Sequence, residues 1–138
     1  MEISSELMNL FDAALQIANK AYVPYSKFHV GAALLTDDDT IITGVNVENR
    51  SYGLTNCAER TAIFKAVSEG KTKFKALAIA TPDADYPVSP CGACRQVISE
   101  FMSGDTPIVF GSSRKNITLT SVKEVYPFDA LHELKNDP

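Results

Sequence analysis

The sequence has few cysteines, only two histidines, no dominant charge and no long apolar run, and each scarcity excludes something. No apolar stretch approaches the roughly 18 residues of a membrane helix, and charged Glu2 and Glu6 interrupt the Met, Leu and Phe positions near the start. Neither a membrane span nor a signal peptide is expected. Lys and Arg number 13 against 17 Asp and Glu, a net charge of −4, so nothing draws the chain towards nucleic acid or anionic lipid. There is no Gly-rich phosphate loop, basic cluster, internal repeat or low-complexity segment. Three cysteines are an odd number and cannot close a disulfide framework. What is present is ordinary globular composition, 45% hydrophobic and 22% charged. A chain of 138 residues is expected to form a single domain, residues 1–138, that buries about two-thirds of its unfolded surface without disulfide staples. The expectation is a cytoplasmic single-domain protein whose three cysteines need an explanation.

Residues 5–21 carry Leu7, Leu10, Phe11, Ala14, Leu15, Ala18 and Ala21 at helical spacing, with Ser4 or Ser5 as cap and Pro24 beyond the end. Phe28 to Thr36 and Thr40 to Glu48 flank the acidic turn Asp37-Asp38-Asp39 and predict an antiparallel hairpin. Gly31 and Gly44 inside these strands mark a bulge or a close approach by another element. A helix is expected from Cys57 to Glu69, a strand from Phe74 to Thr81 and a helix from Cys91 to Met102. Strands follow over Thr106–Phe110 and Asn116–Thr120, then a short helix from Ser121 and one more turn in the tail. Strands separated by helices imply parallel crossovers, and the order predicts an α/β protein with a mixed five-stranded sheet covered by helices on both faces.

All three cysteines fall at helix starts. Cys91 and Cys94 stand at i and i+3, so both sulfurs leave one face of a first helical turn and can meet one metal ion. A helix N-terminus lowers thiol pKa, and the thiolate is the liganding form. Arg60 and Arg95 are placed to hydrogen-bond the sulfurs and offset their charge. Taken alone, the Cys91–Cys94 spacing also suits a redox pair, and a buried Cys57 suits a small core side chain. Together the three make the ligand set of an open catalytic zinc, whose fourth position takes water. His29 and His132 complete no ligand spacing. Glu59 lies two residues after Cys57, about 200° round a helix, badly placed to chelate and better placed to exchange protons beside the metal. Its alternative role is to favour the helix dipole.

Cys57-Ala58-Glu59 followed by Pro90-Cys91-Gly92-Ala93-Cys94 resembles the zinc deaminase signature, with Cys as first ligand. Tyr25-Ser26-Lys27-Phe28, Val30-Gly31-Ala32-Ala33, Gly44-Val45-Asn46-Val47-Glu48-Asn49, Cys57-Ala58-Glu59-Arg60-Thr61-Ala62 and Ser89 to Val97 extend the match to the small three-cysteine cytidine deaminases, over roughly residues 10–127. The resemblance implies the three-layer α/β/α cytidine-deaminase-like fold and one zinc per chain on Cys57, Cys91 and Cys94. It implies hydrolytic deamination of cytidine and 2′-deoxycytidine, with Glu59 as proton shuttle. It further implies a homotetramer whose pockets are completed by neighbouring subunits. By motif position Asn46 and Glu48 hold the ribose 3′-hydroxyl, with Val47 between them in the same substrate-binding run. Phe28 packs on the pyrimidine, the Ala58 backbone reads the base edge, and Tyr52 reaches a neighbour's site. A C-terminal aromatic caps a neighbour's pocket in this family, and here Phe128 or Leu131 stands nearest that place.

The residues are consistent with a free nucleoside, which needs an apolar wall and groups for its sugar hydroxyls but no phosphate cradle. Asn46 and Glu48 alternate onto one strand face and could meet one sugar. On residue type alone, Asn46 reads better as a strand-end turn residue and Phe28 as a core aromatic. Other aminated substrates, among them an aminonucleoside antibiotic, keep the same chemistry, whereas a redox or binding domain would use only the Cys91–Cys94 pair.

Overall fold

A computed structural model describes residues 2–135. Its elements, in chain order, are α1 (Ser5–Ala18), β1 (Gly31–Thr36), β2 (Ile41–Val45), a 3-10 turn (Tyr52–Leu54), α2 (Ala58–Ser68), β3 (Phe74–Ala80), α3 (Gly92–Phe101), β4 (Pro107–Ser113), β5 (Asn116–Ser121), α4 (Val122–Val125) and a last 3-10 turn (His132–Leu134). The sheet order is β2-β1-β3-β4-β5. β1 runs antiparallel to both β2 and β3, β3 runs parallel to β4, and β5 returns antiparallel. The mixed five-stranded sheet between helical layers is therefore the expected three-layer α/β/α arrangement. Of the two helix-bearing steps, only β3–α3–β4 joins neighbouring parallel strands; β2–α2–β3 passes over β1.

Alternation along the strands builds a core on each face. Ala33 and Leu35 of β1, with Ala76, Ala78 and Ala80 of β3, bury Leu10, Phe11 and Ala14 of α1 on one side. Ala32, Leu34, Leu77 and Ile79 face Ala62 and Ile63 of α2 and Cys94 and Ile98 of α3 on the other. Every β1 residue is buried, because the strand lies inside the sheet and beneath helices on both faces. Both strand glycines mark close helix approach. A Cβ at Gly31 would lie 2.0 Å from the Ala14 carbonyl oxygen of α1, and one at Gly44 would lie 2.4 Å from the Ala62 nitrogen of α2.

Helix α1 begins where Ser4 Oγ accepts the Leu7 N–H at 3.2 Å, so of the two candidate caps it is Ser4 that acts. Ser4→Ala removes that bond and is expected to cost about 1 kcal/mol, lowering the thermal midpoint by roughly 3–5 °C in a melting experiment. The helix ends at Ala18 rather than Ala21. Pro24 disfavours helical backbone just ahead of it, and Tyr22 instead pairs with Asn46 and Glu48, donating its N–H to Asn46 O at 3.1 Å and accepting from Glu48 N at 2.9 Å. The predicted hairpin strands are likewise trimmed: Phe28 to Val30 and Asn46 to Glu48 run past the end of the β1–β2 ladder, with Val47 making only isolated bridges to Tyr22 and Asn56. These two segments reach the site. No helix among the described residues is long and apolar enough to cross a membrane.

Candidate active site and metal centre

The N-termini of α2 and α3 converge beyond the C-terminal ends of β2 and β3, which run in the same direction. Cys57 and Cys91 are the N-cap residues of the two helices, each with extended backbone, and Cys94 sits in the first turn of α3. Their three sulfurs lie within 4.8 Å of one another, with Cys57 Sγ 3.8 Å from Cys91 Sγ. A tetrahedral zinc with bonds of about 2.3 Å separates its sulfurs by about 3.8 Å, whereas a disulfide needs about 2.05 Å. The cluster thus fits one zinc ion, and all three cysteines are unbridged.

Electrostatics around the sulfurs agree with that use. Cys91 Sγ accepts the Cys94 N–H at 3.5 Å, a bond from the exposed end of the helix dipole. Arg60, one turn after Cys57, donates from Nη2 to Cys57 Sγ at 3.2 Å. Hydrogen bonding from Cys94, and after it the Arg60 guanidinium, bring the Cys57 thiol down to about 5. Cys94 is pushed up, first by its bond with Cys57 and then by burial, since adjacent thiolates repel. A divalent cation removes that repulsion, so metal binding and ionisation of the second and third thiols go together. Arg95 departs from expectation and does not touch the sulfurs. Its guanidinium donates to Pro90 O at 2.7 Å, Val125 O at 2.8 Å and Ser89 Oγ at 3.0 Å, because oxygens are better acceptors than sulfur. It clamps the loop that delivers Cys91 instead.

Glu59, in the first turn of α2, is only 4% exposed. Cys57 as N-cap does not have helical backbone, so the 200° separation of a regular helix does not apply, and both side chains line one cavity. Burial, the largest influence, and the nearby Cys57 charge raise the Glu59 carboxyl to about 7. That is the range in which a carboxyl group both takes and returns protons at neutral pH.

The cavity holds about 180 Å³, and Phe28, Val30, Ala58 and Ile79 supply its apolar walls. Ala58 is the first helical residue of α2, where an N–H has no acceptor inside the helix. Asn46, 9% exposed, also lines it and uses half its amide to secure the wall: Oδ1 accepts Val30 N and Nδ2 donates to Phe28 O, both at 2.9 Å. One N–H and one acceptor site remain. Glu48 lies in an adjoining cavity of about 340 Å³ with Tyr25, Ser26 and Tyr52, and Thr55 lines both. Its carboxylate accepts the Tyr25 and Ser26 N–H groups at 3.1 Å and the Ser26 hydroxyl, which holds it below the usual carboxylate range.

Not every candidate reaches the cavity. The Val47 side chain is 42% exposed and lines neither space, while its main chain exchanges 3.0 Å bonds with Asn56. Tyr52 is 76% exposed and stacks obliquely on Tyr25. Phe128, 90% exposed, and Leu131 lie away from the Cys57 cavity of their own chain. His29 and His132 are not among the clustered ligands. Thr81 and Val88, which line the cavity from the segment after β3, had no sequence signal beyond the end of an apolar run.

A family model describing the cytidine and deoxycytidylate deaminase zinc-binding region matches residues 4–112. A cytidine deaminase of Halalkalibacterium halodurans is 50% identical over 128 residues, spanning 93% of this chain and 96% of the relative. One from Sporosarcina psychrophila is 57% identical over 108 residues, 78% of this chain and 79% of that one. The crystal structure of cytidine deaminase from Burkholderia pseudomallei superposes with a TM-score of 0.83 at 42% identity, covering 91% of this chain and 98% of that one. A chain whose three clustered cysteines fit one zinc ion thus matches a zinc-binding family model over most of its length, and it belongs to the cytidine and deoxycytidylate deaminase family.

Proposed function

We propose that the chain, acting as one domain over residues 1–138, converts cytidine and 2′-deoxycytidine to the corresponding uridines with release of ammonia. The observation that carries this reading is a cavity lined by Cys57 and Cys91 of the three-sulfur cluster, by a buried Glu59 whose carboxyl is raised to about 7, and by apolar side chains. Zinc, when bound, supplies the Lewis acidity that activates a water for attack at C4 of the base. Glu59 takes the proton released by that water, donates to N3 and later assists the leaving ammonia. The Ala58 N–H pairs with the base edge, and Phe28 packs against the ring. Asn46 and Glu48 hold the ribose hydroxyls from the two adjoining cavities, with Val47 between them fixing the strand through Asn56.

The exposed Tyr52 ring beside the Glu48 cavity supports an assembly in which neighbouring copies complete each pocket, a homotetramer, with Phe128 or Leu131 capping a partner's site. A free nucleoside in the cytoplasm, rather than a polynucleotide or a membrane lipid, suits the net charge of −4.

The test follows absorbance and ammonia release with cytidine, adenosine and cytosine as alternative substrates. Cytidine is expected to turn over with one ammonia per uridine and the other two to stay essentially unchanged. Prolonged chelation should abolish the activity and added zinc should restore it. Zinc-loaded protein that leaves cytidine intact would refute the assignment.

A further inference from the structure

The antiparallel β1–β3 ladder ends at the pair Gly31–Ala80, and continuing its register sets His29 opposite Pro82. Proline has no N–H, so the ladder cannot extend there. Asp83, one residue on, fills the gap with a side chain. Its Oδ2 accepts the His29 main-chain N–H at 2.7 Å and lies 2.8 Å from His29 Nδ1. Both bonds converge on one oxygen across 54 positions of sequence, and they hold the Asp83 carboxyl below its ordinary value, the main-chain bond most strongly.

The location gives the pair its meaning. Phe28 and Val30, on either side of His29, and Thr81 and Val88, on either side of Asp83, all line the cavity. We propose that His29 and Asp83 form a clasp that fixes these two lining segments against each other, and so act as positioning residues for nucleoside binding. The proposal rests on the deaminase reading above. The chemical groups are anchored separately: Cys57 and Glu59 stand at the start of α2, and the far end of the Asp83 loop, which leads to Cys91, is held by Arg95 at Ser89 and Pro90. Loosening the clasp therefore weakens contacts made equally in ground and transition states, which changes KM and leaves kcat in place.

Steady-state kinetics with cytidine on zinc-loaded wild type, Asp83→Ala, His29→Leu, His29→Asn and the double variant His29→Leu/Asp83→Ala test this. Asp83→Ala loses both bonds and is expected to raise KM about tenfold with kcat within about twofold. His29→Leu keeps the main-chain bond and is expected to raise KM about threefold, while His29→Asn, whose amide nitrogen can stand in for Nδ1, stays within about twofold. The double variant should match Asp83→Ala, since Nδ1 then has no partner to lose. A lowered melting temperature with unchanged KM in the alanine variant, or additive effects in the double, would overturn the clasp. If Asp83→Ala does not fold, the contrast between His29→Leu and His29→Asn decides alone, equal KM values counting against it. Wild type that fails on cytidine refutes the deaminase assignment itself, a result read before any variant is compared.

Discussion

Glu59→Gln is expected to keep its zinc and lose cytidine turnover by about 10³-fold or more, because the amide cannot accept the water proton or pass it to the base. Glutamine preserves the shape of a side chain that is 4% exposed, so packing of the α2 first turn survives. The loss should fall on kcat, with zinc remaining near one equivalent by metal analysis. A variant that retains a tenth of wild-type activity would remove Glu59 from the chemistry.

The same substitution has a stability signature in the metal-free protein. Burial raises the Glu59 carboxyl from 4.5 to about 7. A raised carboxyl favours the protonated folded state, so its contribution is fully present below about pH 4.5 and is lost as pH climbs through about 7. Glutamine is neutral throughout. Metal-free Glu59→Gln should therefore gain on wild type across that window, by up to about 3 kcal/mol above pH 7. Chemical denaturation of the two proteins at pH 5 and pH 8 measures it, and an equal gap at both pH values would contradict the buried-carboxyl account.

Gly44→Ala is expected to damage fold and site together. The added Cβ would stand 2.4 Å from the Ala62 nitrogen and 2.8 Å from the Ala58 carbonyl oxygen, both backbone atoms of α2 that cannot rotate aside. Either β2 bends or α2 lifts, at a cost of about 3 kcal/mol, and the thermal midpoint should fall by roughly 10 °C. Since α2 presents Cys57 and Glu59 from its first turn, the same displacement should lower activity beyond the loss of folded protein. Gly53→Ala is the stability control, because nothing lies within 4 Å of its Cβ position and its cost should stay within about 0.5 kcal/mol. A Gly44→Ala protein melting within 2 °C of wild type, roughly the scatter of a neutral surface change, would show that α2 is not seated on the glycine.

Much of the site was legible because its chemistry is local. The Cys91–Cys94 pair shares a first helical turn, and Cys57 precedes Glu59 at another helix start, whatever the rest of the chain does. The strand glycines likewise marked either a bulge or a close approach, and the structure shows the second. Arg60 and Arg95 show where locality runs out. Both follow motif residues, yet only Arg60 bonds a sulfur; Arg95 finds oxygens on Pro90 and Val125, and the latter lies 30 residues away.

Periodicity and residue chemistry alone placed the helices and most strand positions and marked three candidate ligands and a candidate proton carrier, since each depends on neighbours within a few residues. Only tertiary structure decided that Cys57 and Cys91 stand 3.8 Å apart, that α1 stops at Ala18 so Tyr22 can pair beside Asn46, and that Asp83 reaches His29. Those outcomes follow from strand order and register, which bring together groups 24 to 54 positions apart. Glu59 makes the division plain: its place in the helix was readable, but the burial that raises its carboxyl to about 7 exists only in the folded chain.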